Sequence, residues 1–417
     1  MTPKPEIVDH LDPVEFVRLR PDSEVSPLDR DILVFTIHDG DKVPRNLWGD
    51  RSEDVVSRPD VRHTYVHERD WGANLVAEEM VRALGLSGYL RVDLARVVLD
   101  FGRFPGTSAV GEAYLTRHAL YPPVEHLLSP EAIHELLAHY YDGISQAITR
   151  HFSTKRITLA VHTYDSLNAT GTERPGISLI SRSLEYQNHS TIPRYTFDPL
   201  FPPILCEATA DRALTYQILL DLEKAGHHTA LNYPYVMPEG SVEIRAQVWF
   251  FYRHLRQSFL AQHPDAAERP EMQRLWQMLL DVTHREADCE RLRGFLHQYR
   301  SAPRGQEKLF ADARLAYQQV SDFLEANRQE LVETYRYSPR RPSCLGIEVR
   351  KDLLATLDED RGVVEPKPDA VPLAREVSEI FADSVRAYVE GKNQRAQQLE
   401  SSRLSVPSPP QPSVADC

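Results

Sequence analysis

Two of the 17 histidines stand at matched places in the chain. His38 follows the apolar run Ile32-Leu33-Val34-Phe35-Thr36-Ile37, and His162 follows Ile157-Thr158-Leu159-Ala160-Val161. Each run has the length and β-branched content of a buried parallel strand. Each histidine therefore falls at a strand's carboxyl end, where ligands gather in open α/β sheets. Imidazole is the usual nitrogen ligand of zinc, and a catalytic zinc takes three protein ligands and keeps a further position open. A lone histidine at a strand end reads as a satisfied polar residue; the matched pair points to one shared site. The third ligand should be an acid. Asp41, three residues after His38 and reachable through a turn at Gly40, is favoured, with Asp39 and the more distant Asp70 as alternatives.

The elements that must position these residues alternate in type. After the first run, Ala73, Val76, Ala77, Met80, Val81 and Leu84 recur at helical spacing within Asp70 to Leu84, and Gly85 closes the helix. A strand-rich stretch from Tyr89 to Phe101 ends in the turn formers Gly102-Arg103-Phe104-Pro105-Gly106. Ile133, Leu136, Leu137, Tyr140, Tyr141, Ile144 and Ile148 line one helix face ahead of the run that ends at His162. Ile177 to Ser181 forms a further unit, Asp211 to Ala225 a helix, and Ser241-Val242-Glu243-Ile244-Arg245 a strand leading into an aromatic-rich helix that ends near Phe259. Strands alternating with helices predict an α/β fold, a mostly parallel or mixed central sheet flanked by helices.

The chain divides on this reading into an N-terminal arm over residues 1–30, a catalytic domain over 31–260, a helical region over 261–400 and a Ser/Pro-rich, disordered tail over 401–417. The helical region rests on charged stretches with helical spacing, Met272 to Tyr299, Glu307 to Tyr335 and Ala374 to Tyr388, with little strand signal among them.

Bulk properties exclude several classes. A net charge of −13 with no Lys/Arg-rich run lacks the electrostatic footprint of a nucleic-acid binder. No stretch reaches the ~20 apolar residues of a membrane span, and the first residues have neither a basic nor an apolar leader segment. Cys206, Cys289, Cys344 and Cys417 form no C-x-x-C pair, which argues against a thiolate metal site and a disulfide framework and fits a cytoplasmic protein. Cys206 as a nucleophile is a minor alternative to an inert buried thiol.

Five segments then resemble, in order, the N-formylglutamate amidohydrolase family of zinc carboxypeptidase-like hydrolases. They are His38-Asp39-Gly40 with Pro44; Arg69-Asp70-Trp71-Gly72-Ala73; Asp93-Leu94-Ala95-Arg96, with Arg91 just upstream; Val161-His162-Thr163-Tyr164; and Asn232-Tyr233-Pro234-Tyr235 with Gly240 and Glu243-Ile244-Arg245. They span about half of the chain, and nothing after Gln262 is covered. The resemblance implies a zinc exopeptidase-like fold holding one zinc per chain on His38, His162 and an acidic neighbour. It implies Glu243 as general base and Arg96 as partner of a substrate carboxylate. Arg91, Arg103, Asn232 and Arg245 complete the expected substrate-binding set. Such a centre cleaves a C–N amide bond: zinc acidifies water and polarises the carbonyl, a carboxylate shuttles the proton, and arginine grips a carboxylate through two parallel bonds.

The residues also have plain readings. Glu243 and Arg245 could pair across strands, Asp93 and Arg96 could orient a loop, Arg91 and Arg103 could be solvated, and Trp249, Phe250, Phe251 and Tyr252 fit a core face. Ala95 stands where the family motif has Asn, which points to a substrate other than a small formylated amino acid or to a position outside the site. The expected function is a zinc-dependent amidohydrolase acting on a carboxylate-bearing small molecule or peptide. The rivals are a degenerate hydrolase fold serving as a scaffold and a carboxypeptidase-type metallopeptidase. The helices after Gln262 are the candidate surface for a protein partner or self-association.

Overall fold

The computed structural model describes residues 4–105, 119–168, 170–183, 197–238, 240–338, 341–358 and 363–404. Its centre is a seven-stranded mixed sheet built from β1 (Val14–Arg18), β2 (Ile32–Thr36), β3 (Gly88–Val92), β4 (Ile157–Tyr164), β5 (Ile177–Ile180), β6 (Thr229–Leu231) and β7 (Ser343–Arg350). The helices that bear on the site are α1 (Ala73–Leu84), α2 (Asp142–Phe152), α3 (Arg212–Lys224), α4 (Val242–Gln262), α5 (Pro270–Leu280), α6 (Ala287–Leu296), α7 (Glu307–Ala326) and α8 (Ala370–Leu404).

The strand order is β1-β3-β2-β4-β7-β5-β6. β3, β2, β4 and β7 run parallel, while β1 and β5 are antiparallel to their neighbours β3 and β7. The two-residue period of a strand sends alternate side chains to opposite faces. Accordingly Ile32 and Val34 join a core with α1, α3 and α8, while Leu33 and Phe35 join another with Tyr140, Tyr141, Ile144 and Ile148. A third apolar cluster ties α4 to α5, α6 and α7 beside the sheet.

This topology creates the site. β2 leads through α1 on one face to its neighbour β3; β4, on the other side of β2, is preceded by α2 on the opposite face. The chain thus departs in opposite directions at the carboxyl ends of β2 and β4, which opens a crevice between them, the usual ligand position in such sheets.

Several expectations change. The first 30 residues supply an edge strand, β1, rather than a free arm, and Glu6–Val8 pairs with Lys42–Pro44. Regular strand structure in the stretch from Tyr89 ends at Val92, and the chain continues as a loop to Phe101. Ser241 to Arg245 is not a strand: Ser241 caps α4, its hydroxyl accepting from the Ile244 amide at 3.3 Å. Glu243 and Arg245 are therefore first-turn residues of a helix, and no cross-strand pairing joins them. After Gln262 the chain is helical as expected through α7, but it then inserts β7 between β4 and β5. The sheet is consequently not confined to residues 31–260. α8 closes one face with Val377, Phe381, Val385 and Val389 at four-residue steps, all buried. Residues 405–417 of the expected tail, and Gly106, lie outside the described residues; 401–404 end α8. No helix among the described residues is long and apolar enough to cross a membrane.

Candidate metal centre

β2 delivers His38 to the crevice floor, and the chain returns to it at Asp70, whose amide donates to the His38 carbonyl at 3.0 Å. The intervening loop is pinned by Asp39, which accepts from Arg69 Nε at 2.8 Å and from the Asn74 amide, at the start of α1, at 3.0 Å. Gly72 makes the turn into α1 at φ 88°, where an L side chain is strained. β4 brings His162 from the other side.

These three residues converge. The Asp70 Oδ2 atom lies 2.9 Å from His162 Nδ1 and 3.6 Å from His38 Nδ1, and one donor atom from each residue falls within a 4.8 Å group. Two imidazoles and a carboxylate form an N/O donor set of the kind that holds a divalent metal. The rings are set for it from behind. Asp100 Oδ1 faces His38 Nε2 at 2.9 Å, so that nitrogen keeps its proton and Nδ1 is left to donate its lone pair. Behind His162, the Glu243 carboxylate stands 3.9 Å from Nε2. Asp100 is fixed in turn by the Gly102 amide at 2.9 Å, the Tyr121 hydroxyl at 3.2 Å and the Arg96 guanidinium at 3.1 Å. A Cβ on Gly102 would sit 3.1 Å from Asp100 Oδ1 and 3.2 Å from His38 Cε1, so a larger residue there would press on this pair.

The electrostatics are those of a tightly charged pocket. Burial disfavours the Asp70 carboxylate, yet the hydrogen bond from His162 and the neighbouring His38 and Arg96 hold it far below the usual range. Burial likewise works against Asp100, and Arg96 and His38 reverse it. Burial opposes a charged His162, but Asp70 and Glu243 raise it well above an ordinary histidine. Burial also resists ionisation of Glu243, which His162 outweighs, leaving its carboxyl lowered. Glu348 differs: burial dominates and its carboxyl is raised.

Glu348 comes from β7, where it is the direct register partner of His162 on β4. The Tyr235 hydroxyl donates to its Oε1, while Oε2 is buried with no hydrogen-bond partner among the described residues. All of these side chains line a cleft of about 690 Å³ that also takes in Arg96, Arg103, Tyr164, Arg174, Asn232 and Lys351.

Of the residues expected from sequence, His38 and His162 meet, and the acid that joins them is Asp70 rather than Asp41. Asp41, 44% exposed at its side chain, faces Arg69 at 3.6 Å, and Asp39 is spent on Arg69 and α1. Arg96 lines the cleft but is saturated by Asp100, Asp70 at 3.3 Å and Glu68 at 3.6 Å. Arg103 also lines it, with its nearest acid, Asp100, at 3.7 Å. Asn232 is at the cleft, but its side-chain oxygen accepts from the Ser181 and Arg182 amides, both at 2.8 Å. Arg91 sits away from the cleft between Glu15 and Asp93. Arg245 is buried beneath it on Tyr141 and the Phe101 carbonyl. Ala95 is fully buried in the apolar core, so an amide there would not face the cleft from this backbone. Cys206 is buried and does not line the cleft.

Asp100 and Glu348 escaped the sequence reading, which quoted Tyr235 only within the Asn232-Tyr233-Pro234-Tyr235 segment and gave it no role. Only Glu348 left a signal, an acid inside the short apolar run Leu345-Gly346-Ile347-Glu348-Val349.

Replacing Asp100 with Asn removes the charge that fixes the His38 tautomer and should weaken metal binding by roughly 10–100-fold. Competition with a chelating dye measures this, and a thermal melt of the metal-free protein separates it from a loss of fold.

No family model matches the chain, and no curated protein does. Among solved structures, the chain is similar to an N-formylglutamate amidohydrolase from Ralstonia eutropha JMP134, with 12% identity, a TM-score of 0.48 and coverage of 91% of this chain and 100% of that one. It is also similar to a gene product of Agrobacterium tumefaciens, with 13% identity, a TM-score of 0.41 and coverage of 87% and 92%.

Proposed function

We propose that the protein is a zinc-dependent amidohydrolase that cleaves a C–N amide bond in a carboxylate-bearing N-acyl amino acid or peptide. The observation that carries the reading is the convergence of His38, Asp70 and His162 at the topological crevice, with a carboxylate behind each imidazole. The donor set fits zinc, which when bound supplies Lewis acidity toward water and the amide carbonyl.

The remaining roles belong to the chain's own side chains. Asp100 and Glu243 hold the two imidazoles, each on the nitrogen turned away from Asp70. That placement makes Glu243 an orienting group. Glu348 is the better proton carrier: its Oε2 has no partner, Tyr235 anchors the other oxygen, and burial raises its carboxyl toward the range in which a group both takes and gives a proton. It accepts the proton of the water that attacks the carbonyl carbon and returns it to the nitrogen as the C–N bond breaks. Saturation of Arg96 leaves Arg103 freer to approach substrate charge.

The test is metal analysis and turnover of the purified protein. About one zinc per chain is expected, with hydrolysis of N-formyl or N-acetyl amino acids that stops on chelation and returns with zinc. A metal-free preparation, made without chelators, that hydrolyses them removes the proposal; bound zinc with cleavage of peptides alone moves the activity to a carboxypeptidase.

A further inference from the structure

The cleft holds one more cation, and it is held differently from the rest. Among the described residues, Arg96, Lys351 and Arg103 each have a carboxylate within 4.0 Å. Arg174 has none. Among the described residues, its one side-chain hydrogen bond is from Nη1 to the Asp165 carbonyl at 3.3 Å, and its Nε is buried with no partner. The guanidinium lies over the Tyr164 ring, 5.3 Å from its centroid.

The segment carrying it is fixed on several sides. The Arg174 amide donates to the Ser166 carbonyl at 2.8 Å, Arg350 Nη1 donates to the Arg174 carbonyl at 3.1 Å, and the Tyr164 hydroxyl donates to the Pro175 carbonyl at 2.7 Å. A cation kept at a cleft wall without a counter-charge, on a braced backbone and stacked on an aromatic ring, is pre-organised for an anion that arrives from solution.

Position says which part of a substrate that anion belongs to. His162 and Tyr164 are two residues apart on β4, so their side chains share a face about 7 Å apart. Arg174, on the Tyr164 ring, thus lies on the cleft lining at Tyr164 and not among the metal-binding residues. Tyr235, which anchors Glu348, lines the same cleft as Arg174.

We infer that Arg174 is the specificity residue of the cleft, taking the carboxylate of a substrate whose amide lies at His38, Asp70 and His162. The inference rests on the hydrolytic reading above for the placement of the amide, but the anion site itself can be tested without turnover.

The experiment pairs N-acetylalanine, N-acetylglutamate and N-acetylphenylalanine with their α-carboxamides. Binding is measured by calorimetry, and turnover in parallel, on zinc-loaded wild type, Arg174→Gln and Arg174→Lys. The wild type should bind each acid at least about tenfold more tightly than its amide. Arg174→Gln should bind the two alike with unchanged zinc content, and Arg174→Lys should recover part of the preference. Equal binding of acids and amides by the wild type, or a preference that survives in Arg174→Gln, overturns the assignment. A preference that follows Arg174 with no turnover by any protein supports the anion site and sinks the amidohydrolase reading instead.

Discussion

Glu348→Gln should fold, keep its zinc and lose roughly 10²–10⁴-fold in kcat. The change is nearly isosteric, and the amide oxygen still accepts from Tyr235, so the geometry of the cleft is retained. What disappears is the oxygen able to take a proton, the Oε2 that is buried without a partner beside His162. Glu243→Gln is the control that separates the two buried acids. Glu243 faces His162 Nε2, the nitrogen remote from Asp70, so its loss should act through the ring and appear mainly as weaker metal binding, by about tenfold or more. Steady-state kinetics and metal titration on both variants decide the matter. If Glu348→Gln turns over normally and Glu243→Gln is inactive with zinc in place, the base is Glu243 and the two acids exchange roles.

Asp70→Ala should purify with less than about a tenth of a zinc per chain and no measurable hydrolysis, because a catalytic zinc rarely holds on two imidazoles alone. Asp70 is the residue both rings face, at 2.9 and 3.6 Å, and its loss leaves two buried histidines with no shared acceptor. Arg96 keeps Asp100 and Glu68, so the cleft wall should survive, as circular dichroism and a melting curve would show. Asp41→Ala supplies the contrast and should bind zinc like the wild type, since that carboxylate points to Arg69 and solvent. Loss of metal from Asp41→Ala, with Asp70→Ala fully loaded, would refute the ligand set.

The parts of the fold legible in the sequence are those that signal locally. β2 and β4 are short apolar runs that end at a histidine, and α1 shows an uninterrupted apolar stripe closed by Gly85, which adopts φ 72° at the helix end. α3 announces itself through Asp211, which caps it by accepting from the Ala213 amide. The start of α4 reads wrongly as a strand because Val242-Glu243-Ile244 alternates over too few residues to separate a period of 2 from one of 3.6; the capping serine is the better guide. β7 stays hidden because Gly346 interrupts an already short apolar run lying between long helices.

For the site, residue type indicates what each group can do but not what already occupies it. An arginine three residues after Asp93 suggests an anion clamp, yet Asp70, Asp100 and Glu68, drawn in by tertiary structure, consume Arg96. Asp41 looks the better ligand than Asp70 for a related reason: it is nearer to His38 along the chain, while the tight loop pinned by Asp39 and Arg69 carries the farther acid back to His38 in space.

The late arrival of β7 also bears on how the molecule is made. On a ribosome, β2 and β4 emerge and can pair long before Ser343 to Arg350 exists, leaving one side of β4 with its amides and carbonyls bare. Pairings this distant along the chain form slowly. The nascent protein thus displays an unpaired strand edge until Ser343 to Arg350 is synthesised, and the segment that covers this edge is the same one that carries the acid beside His162, so the edge is covered and the acid delivered in a single step.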